Sequence, residues 1–281
     1  MAVGWYVPPV TAPALDVEEL RAQVAGRQWY HTLELAPGIE TPGWFDTRPV
    51  VPKLPLPESL DGMRCLDIGT FDGFWAFEME RRGAAEVVAT DVLDPEQWDW
   101  PVDSSPEVIR ELAERKRGGE GFRVAREALG SSVQLLERSV YDLDREEVGE
   151  FDFAYLGSLL LHLRDPVGAL ERVRDVVSGR LLVVDVYDPL MSLLFRRRPV
   201  ATLDGRGRPW WWQSNIACVV RMVEAAGFAL LEPPGRIRMP RGRGQAAPPL
   251  RLSALASRTG RREIANARLG DPHCVILAGP R

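Results

Sequence analysis

The chain has little cysteine, no long apolar run and no phosphate-cradling glycine loop, and each absence argues against a class of protein. Its three cysteines, Cys65, Cys218 and Cys274, lie far apart and outside any Cys-x-x-Cys spacing. That pattern speaks against a disulfide framework or a zinc site and suits small buried hydrophobes. No stretch of about eighteen apolar residues occurs, and Met1 to Val10 lacks a basic segment followed by an apolar one. A cytoplasmic protein with no membrane partner is expected. What remains is ordinary in composition: 281 residues, 45% hydrophobic and 27% charged, near the upper size for one hydrophobic core.

The net charge of −5 speaks against a nucleic-acid partner only until its distribution is read. From Met191 onward there are sixteen arginines against five acidic side chains, a net +11, so residues 1–190 carry −16. Such asymmetry suggests an anionic partner for the basic part. A solvated basic rim, or pairing with the acidic half, is the plain alternative.

Residues 1–58 read as an N-terminal helical and loop segment, a lid, ahead of a core over 59–281 with a basic insertion around 233–270. A helix is expected over Asp16 to Gln28, then turns at Pro37-Gly38 and Pro42-Gly43. Pro49, Pro52, Pro55 and Pro57 exclude helix and central strand, and read as a linker. Strands are expected at Arg64–Ile68, Glu86–Thr90, Ser132–Glu137, Phe151–Leu156, Leu181–Val186, Phe228–Leu231 and Cys274–Ala278. Helical patterns lie between them at Phe74–Arg82, Pro106–Lys116, Phe122–Leu129, Pro166–Val177 and Ser214–Ala226. Pro233 to Pro249 reads as an Arg, Pro and Gly rich connection. This alternation implies a doubly wound α/β sheet, Rossmann-like, with mostly parallel strands.

The strongest local signal is Leu66-Asp67-Ile68-Gly69-Thr70-Phe71-Asp72-Gly73 after the first core strand, with Asp91 and Val92 ending the second. A glycine turn lets a ligand approach the backbone above the strands, and a carboxylate at the second strand tip accepts from ribose hydroxyls. The turn departs from G-x-G-x-x-G, and G-x-x-x-x-G-K-[ST] is absent, so neither pyrophosphate nor a triphosphate has its cradle. Asp67 and Asp72 repel phosphate and suit a cation. A nucleoside bearing an ammonium and a sulfonium meets all these demands, which predicts S-adenosylmethionine, with S-adenosylhomocysteine as its demethylated product.

Trp29-Tyr30-His31-Thr32, Thr41 to Asp46 (TPGWFD), Asp67 to Thr70, Gly157 to Pro166 (GSLLLHLRDP) and Trp211 to Asn215 (WWQSN) occur in that order. From about Gln28 to about Gly227, with the closing strand beyond, the chain resembles class I methyltransferases grouped with tRNA wobble-uridine 5-oxyacetic acid or 5-methoxyuridine synthases. The resemblance implies a seven-stranded fold with its last strand antiparallel. Members that transfer a carboxymethyl group carry Tyr before the histidine and Arg before the last strand. Here Leu161 and His273 stand there. Ordinary methyl transfer is therefore expected. The grouping also takes in proteins expected to methylate small metabolites such as sugars, and methyl transfer to an oxygen of a small hydroxylated or phosphorylated metabolite is expected here, with a tRNA wobble-uridine methyltransferase as the alternative. A non-catalytic S-adenosylmethionine- or RNA-binding module is a further alternative.

An in-line displacement needs chiefly alignment, but a hydroxyl acceptor also needs a base. His162 after the fourth strand and His31 in the lid are the candidates, each also readable as structural, and His273 reads as structural. Ser139, Val140 and Tyr141 are expected beside adenine, with Asp142 as an alternative there, and Gly157 and Ser158 under the methionine part. Tyr30 is counted with the cofactor contacts. Asp185 and Asp188 could position an acceptor, but no clear metal-ligand set accompanies them. Trp210 to Trp212 could stack on a base or sugar or anchor a lid, and Arg196 to Arg198 could meet phosphate or merely face solvent.

Overall fold

The computed structural model describes residues 16–205, 209–245 and 258–281. Helix α1 (Val17–Ala25) leads into four short strands, β1 (Trp29–His31), β2 (Glu34–Ala36), β3 (Ile39–Glu40) and β4 (Gly43–Phe45). The core then runs β5 (Arg64–Ile68), α2 (Phe74–Arg81), β6 (Glu86–Asp91), α3 (Pro106–Lys116), α4 (Glu120–Ala128), β7 (Gln134–Glu137), α5 (Arg145–Val148) and β8 (Phe151–Gly157). After α6 (Pro166–Val176) and β9 (Val177–Val186) come α7 (Pro189–Leu194), β10 (Ala201–Leu203), β11 (Trp212–Ser214), α8 (Ile216–Ala225) and β12 (Phe228–Leu230). Strand β13 (Gly235–Met239), helix α9 (Arg258–Leu269) and β14 (Asp271–Pro280) finish the chain.

Side-chain alternation builds the sheet. Cys65, Val87, Phe153, Tyr155, Leu182 and Val184 point into one apolar layer with α2 and α4. Leu66, Ile68, Val88, Leu156, Leu181 and Val183 point into the other, with α6 and α8. Strands covered on both faces need apolar residues at both parities, which is why these segments read as continuous hydrophobic runs. The strand order is β12-β14-β9-β8-β5-β6-β7. Strands β5 to β9 are parallel, and β14 runs antiparallel to β9 and β12. All seven expected strands are present.

An eighth strand joins them. Strand β13 pairs antiparallel with the first half of β14 inside the stretch read as an Arg, Pro and Gly rich connection. Its residues alternate: Ile237 and Met239 are buried while Arg236 and Arg238 face out. A second correction concerns the proline stretch, where Arg48–Lys53 forms a 3₁₀ helix. Pro49 sits at its start, where a missing N–H leaves no bond unmade. Residues 246–257 of the expected basic insertion lie outside the described residues.

From residue 16 onward the N-terminal segment packs into the core, residues 1–15 lying outside the described residues. Leu20, Val24, Trp29, Leu33, Leu35, Val50 and Leu60 share the layer that covers α2 and α4. Backbone also approaches backbone closely there: Gly242 N donates to Trp44 O at 2.7 Å and Gly244 N to Gly43 O at 2.9 Å. A Cβ on Gly242 would lie 2.2 Å from Gly43 O, and one on Gly244 would lie 2.1 Å from Pro42 O. The Arg-Gly-Arg-Gly run is thus shaped by packing against the lid. Among the described residues no helix is long and apolar enough to cross a membrane.

Candidate functional site

The parallel strands end together above β5, β6 and β8, and the turn after β5 sets the geometry of the crevice there. Gly69 and Gly73 adopt φ of +75° and +91°. A Cβ on Gly73 would lie 2.5 Å from the Phe77 ring and 2.8 Å from Phe122, so both its conformation and its space require glycine. Phe71 and Ser158 are non-glycine residues at φ of 51° and 50°. They stand at the tips of adjacent strands, and strained backbone of this kind gathers at ligand sites.

Three carboxylates expected to face ligand also brace the backbone. Asp67 Oδ2 accepts from Thr70 Oγ1 at 2.6 Å and from Ala76 N at 3.1 Å, closing the first turn of α2. Asp72 Oδ2 accepts from Tyr30 N at 2.5 Å and His31 N at 3.1 Å, tying β1 to the glycine turn. Asp185 Oδ2 accepts from Leu159 N at 3.0 Å and Leu160 N at 2.8 Å, holding the turn after β8. Burial pushes Asp67 and Asp185 up to about 7 and Asp72 to about 6. Asp188 caps α7 through Met191 N at 2.8 Å. In both Asp67 and Asp72, Oδ2 takes two protein donors, so each carboxylate has a bracing role beside the expected cation contact.

Asp91 lies at the tip of β6, facing the turn. Its Oδ2 accepts from Phe71 N at 2.7 Å and from Lys116 Nζ at 2.5 Å. Lys116 is one of only two lysines in the chain, its side chain is 1% exposed, and Nζ lies 4.2 Å from the Phe71 ring centre. No local pattern marks this residue at the end of a polar helix; the turn through Arg117, Gly118 and Gly119, all at positive φ, carries it to Asp91. The Val92 carbonyl accepts from Trp98 Nε1 at 2.9 Å. On the next loop Ser139 caps Tyr141 N, Val140 is buried, and the Tyr141 hydroxyl donates to Asp99 Oδ2 at 2.9 Å while accepting from Asp165 N at 3.0 Å. Tyr141 therefore fastens two loops together. Asp99 is a hub that the sequence did not suggest, also accepting from Arg164 N and, at its carbonyl, from Trp211 Nε1.

Tyr30 spans the crevice. Its ring lies 4.9 Å from Phe71 and 5.3 Å from Phe45, and its buried hydroxyl faces Ser158. Ser158 Oγ is 2.9 Å from His273 Nε2, whose Nδ1 is 3.0 Å from the Asp271 carbonyl. A carbonyl only accepts, so Nδ1 carries the proton and Ser158 donates to Nε2. His273, read as structural, thus lies in the crevice wall: β14 runs antiparallel, so its first residues sit at the carboxyl ends of the other strands.

His31 is buried, burial beside Lys116 holds it at about 3, and its Nδ1 has no hydrogen-bond partner. His162 Nδ1 donates to Pro209 O, leaving Nε2 with the lone pair, and burial lowers its pKa. Trp211 is pinned by its N–H to Leu161 O and is stacked by Arg164, an anchor for the turn carrying His162. Arg196 to Arg198 are exposed.

No family model and no curated protein matches the chain. Among solved structures, the N-terminal domain of EvdMO1, in the presence of SAH and D-fucose, is similar over 96% of this chain and 99% of that one, at 16% identity and TM-score 0.53. The partner of the Trm112 methyltransferase activator in a Haloferax volcanii complex is similar over 85% and 90%, at 14% identity and TM-score 0.50. A Burkholderia thailandensis 1,6-didemethyltoxoflavin-N1-methyltransferase is similar over 78% and 72%, at 14% identity and TM-score 0.47. The chain has the Rossmann-like class I methyltransferase fold, with the last strand antiparallel in a mostly parallel sheet.

Proposed function

We propose that the chain is an S-adenosylmethionine-dependent methyltransferase acting on an oxygen of a small hydroxylated or phosphorylated metabolite. The observation that carries this reading is the pairing, in one crevice, of the Gly69–Gly73 turn with Asp91 and the strained Phe71 and Ser158. The orphaned, buried Nδ1 of His31 beside them fits a polar ligand. Asp91 would hold the ribose, Val92 and Val140 the adenine, with Ser139 and Tyr141 shaping its loop. Gly69, Thr70, Gly157 and Ser158 would hold the methionine part, with Tyr30 over it. When bound, this cofactor supplies an electrophilic methyl carbon on a sulfonium.

The protein's own part is alignment and, for a hydroxyl, removal of a proton. His162 is the better base: its tautomer leaves Nε2 open, whereas His31 at about 3 is a feeble proton acceptor and serves as a hydrogen-bonding wall. The lid shares the core and is itself overlaid by residues 241–245, which favours a small acceptor over a splayed nucleotide. The relative solved with SAH and D-fucose, similar over nearly the whole chain, supports the same class. Exposed Arg196, Arg197, Arg198, Arg236 and Arg238 support a second reading, a tRNA wobble-uridine methyltransferase.

Titration calorimetry with S-adenosylhomocysteine tests the cofactor, and no binding would sink the whole reading. Binding without transfer to any hydroxylated acceptor or tRNA would leave a non-catalytic module. His162→Ala should lower turnover at saturating acceptor about a hundredfold or more, while His31→Ala should chiefly raise KM. Unchanged turnover in both would leave alignment alone. Salt-dependent tRNA binding together with methylation of bulk tRNA would favour the second reading.

A further inference from the structure

Helix α7 and the residues after it form an apolar and cationic projection that the crevice does not use. Leu190, Leu193 and Leu194 stand at i, i+3 and i+4 on one helix face. They are 42%, 69% and 64% exposed, and Phe195 beside them is 42% exposed. Arg196, Arg197 and Arg198 follow directly, exposed, and among the described residues no carboxylate pairs with them.

The projection is built rather than frayed. Buried Asn215 donates from Nδ2 to the carbonyls of Phe195 and Arg198, both at 2.9 Å, and its Oδ1 accepts from Val200 N at 3.0 Å. Ser192, on the opposite face of α7, is buried and accepts from Ile216 N at 3.2 Å. The backbone is held at both ends while four large apolar side chains stand in water. Scattered exposed leucines need no account, but a fixed contiguous group of them marks a contact surface.

We infer that this projection seats the protein on an anionic phospholipid surface. The leucines and Phe195 enter the acyl boundary and the three arginines meet headgroup phosphates, a division of labour that neither half accomplishes alone. A second copy of the chain suits the patch less, because a two-fold contact would set arginine triplet against arginine triplet. RNA would engage the arginines and leave the leucines in water. The missing transmembrane span, on which the expectation of no membrane partner rests, concerns crossing a bilayer and not lying on it.

Co-sedimentation of the full chain tests this, using vesicles of phosphatidylcholine alone and of phosphatidylcholine mixed with phosphatidylglycerol, at low and high salt. Binding to the mixed vesicles, weakened by salt, is expected. The double variant Leu193→Asp, Leu194→Asp should abolish it. Replacing Arg196, Arg197 and Arg198 by Gln should weaken it about a hundredfold, from about fivefold per arginine. Both variants alter only exposed side chains and should keep the wild-type melting temperature, which separates loss of binding from loss of fold. No vesicle binding, or binding undiminished in the leucine variant, overturns the inference. Self-association in sedimentation velocity that the leucine variant removes, without vesicle binding, would assign the patch to a second copy instead.

Discussion

The carboxylates nearest the crevice and the exposed arginines Arg196 to Arg198, Arg236 and Arg238 are used in opposite ways. Asp67, Asp72 and Asp185 are buried, and each accepts two or more backbone N–H groups or a hydroxyl. Arg196 to Arg198, Arg236 and Arg238 stand in solvent. The −16 of the first 190 residues therefore contributes less to the field around the crevice than its size suggests, because the aspartates closest to it serve as braces whose ionisation burial opposes. Of the +11 beyond, Arg196 to Arg198, Arg236 and Arg238 are displayed, whereas Arg241 is held by Glu263 at 3.0 Å. Charge per segment predicts a partner only where the charge is not already committed to backbone.

Breaking a brace should have the largest effect. Asp72→Ala removes the acceptor for Tyr30 N and His31 N and leaves two donors unpaired where β1 meets the glycine turn. Each unpaired buried donor is worth about 1–3 kcal/mol, so the variant should lose about 2–4 kcal/mol in urea unfolding. Asp72→Asn, which keeps an oxygen, should recover part of that. A loss under about 0.5 kcal/mol would mean that the apolar layer alone holds the lid.

Asp91 is the front-half carboxylate that the comparison sets apart, since it pairs with a buried lysine while standing at the crevice. Asp91→Asn keeps shape and lowers the charge. Its hydrogen bonds are charge-assisted, worth about 1.5–3 kcal/mol each, so S-adenosylhomocysteine affinity should fall about ten- to a hundredfold by calorimetry. Equal affinity would leave Asp91 as one more brace, serving Phe71 N and Lys116 alone.

The histidines offer a pH test of the same contrast. His273 is held at about 4 by burial, below its ordinary 6.5, so its neutral form is favoured in the fold. A depressed histidine contributes stability that is complete above pH 6.5 and is lost as the pH falls toward 4, because the unfolded chain takes the proton first. Asp67 and Asp185, raised to about 7, work the other way: their destabilising ionisation is relieved as the pH falls from 7 toward 4. The two sets oppose each other, so the parent protein should show a shallow profile there. His273→Gln removes one histidine from the balance. Relative to the parent, the variant should gain about 1–2 kcal/mol on going from pH 7.5 to pH 5. A parallel pair of profiles would show that the ring titrates alike in the folded and the unfolded chain, with no depression by burial.

How much of this was legible in the sequence depended on the range of the interaction. The run Leu181 to Val186 and the turn at Gly69 to Gly73 carry their structure in their own residues, through hydrophobicity and positive φ. Strand β13 left a local signal as well, the two-residue alternation of Arg236, Ile237, Arg238 and Met239, hidden by the surrounding prolines and arginines. Lys116 left none, because its role exists only once α3 folds back over the tip of β6. His273 lay between: its neighbours say nothing, but an antiparallel last strand necessarily brings its first residues to the carboxyl ends of the parallel ones. The bracing roles of Asp67 and Asp72 were also out of reach, since a motif shows that a carboxylate is present and not which donors have already claimed it.

The smallest effect belongs to the displayed arginines, and its smallness is the point. Arg236 and Arg238 point outward from β13 while Ile237 and Met239 hold the strand to the core. Arg238 adds only a hydrogen bond from its guanidinium to the Gly270 carbonyl at 3.2 Å. Replacing both by Gln should change the urea midpoint by no more than about 0.5 kcal/mol equivalent, as for other surface positions. Any tRNA binding at low salt should fall in the same variant, and its salt slope should flatten by roughly two, about one per phosphate contact removed. If instead the fold weakens by more than about 2 kcal/mol with tRNA binding unchanged, then these guanidinium groups are braces too. In that case the rear of the molecule uses its charge as the front does, and the contrast between them dissolves.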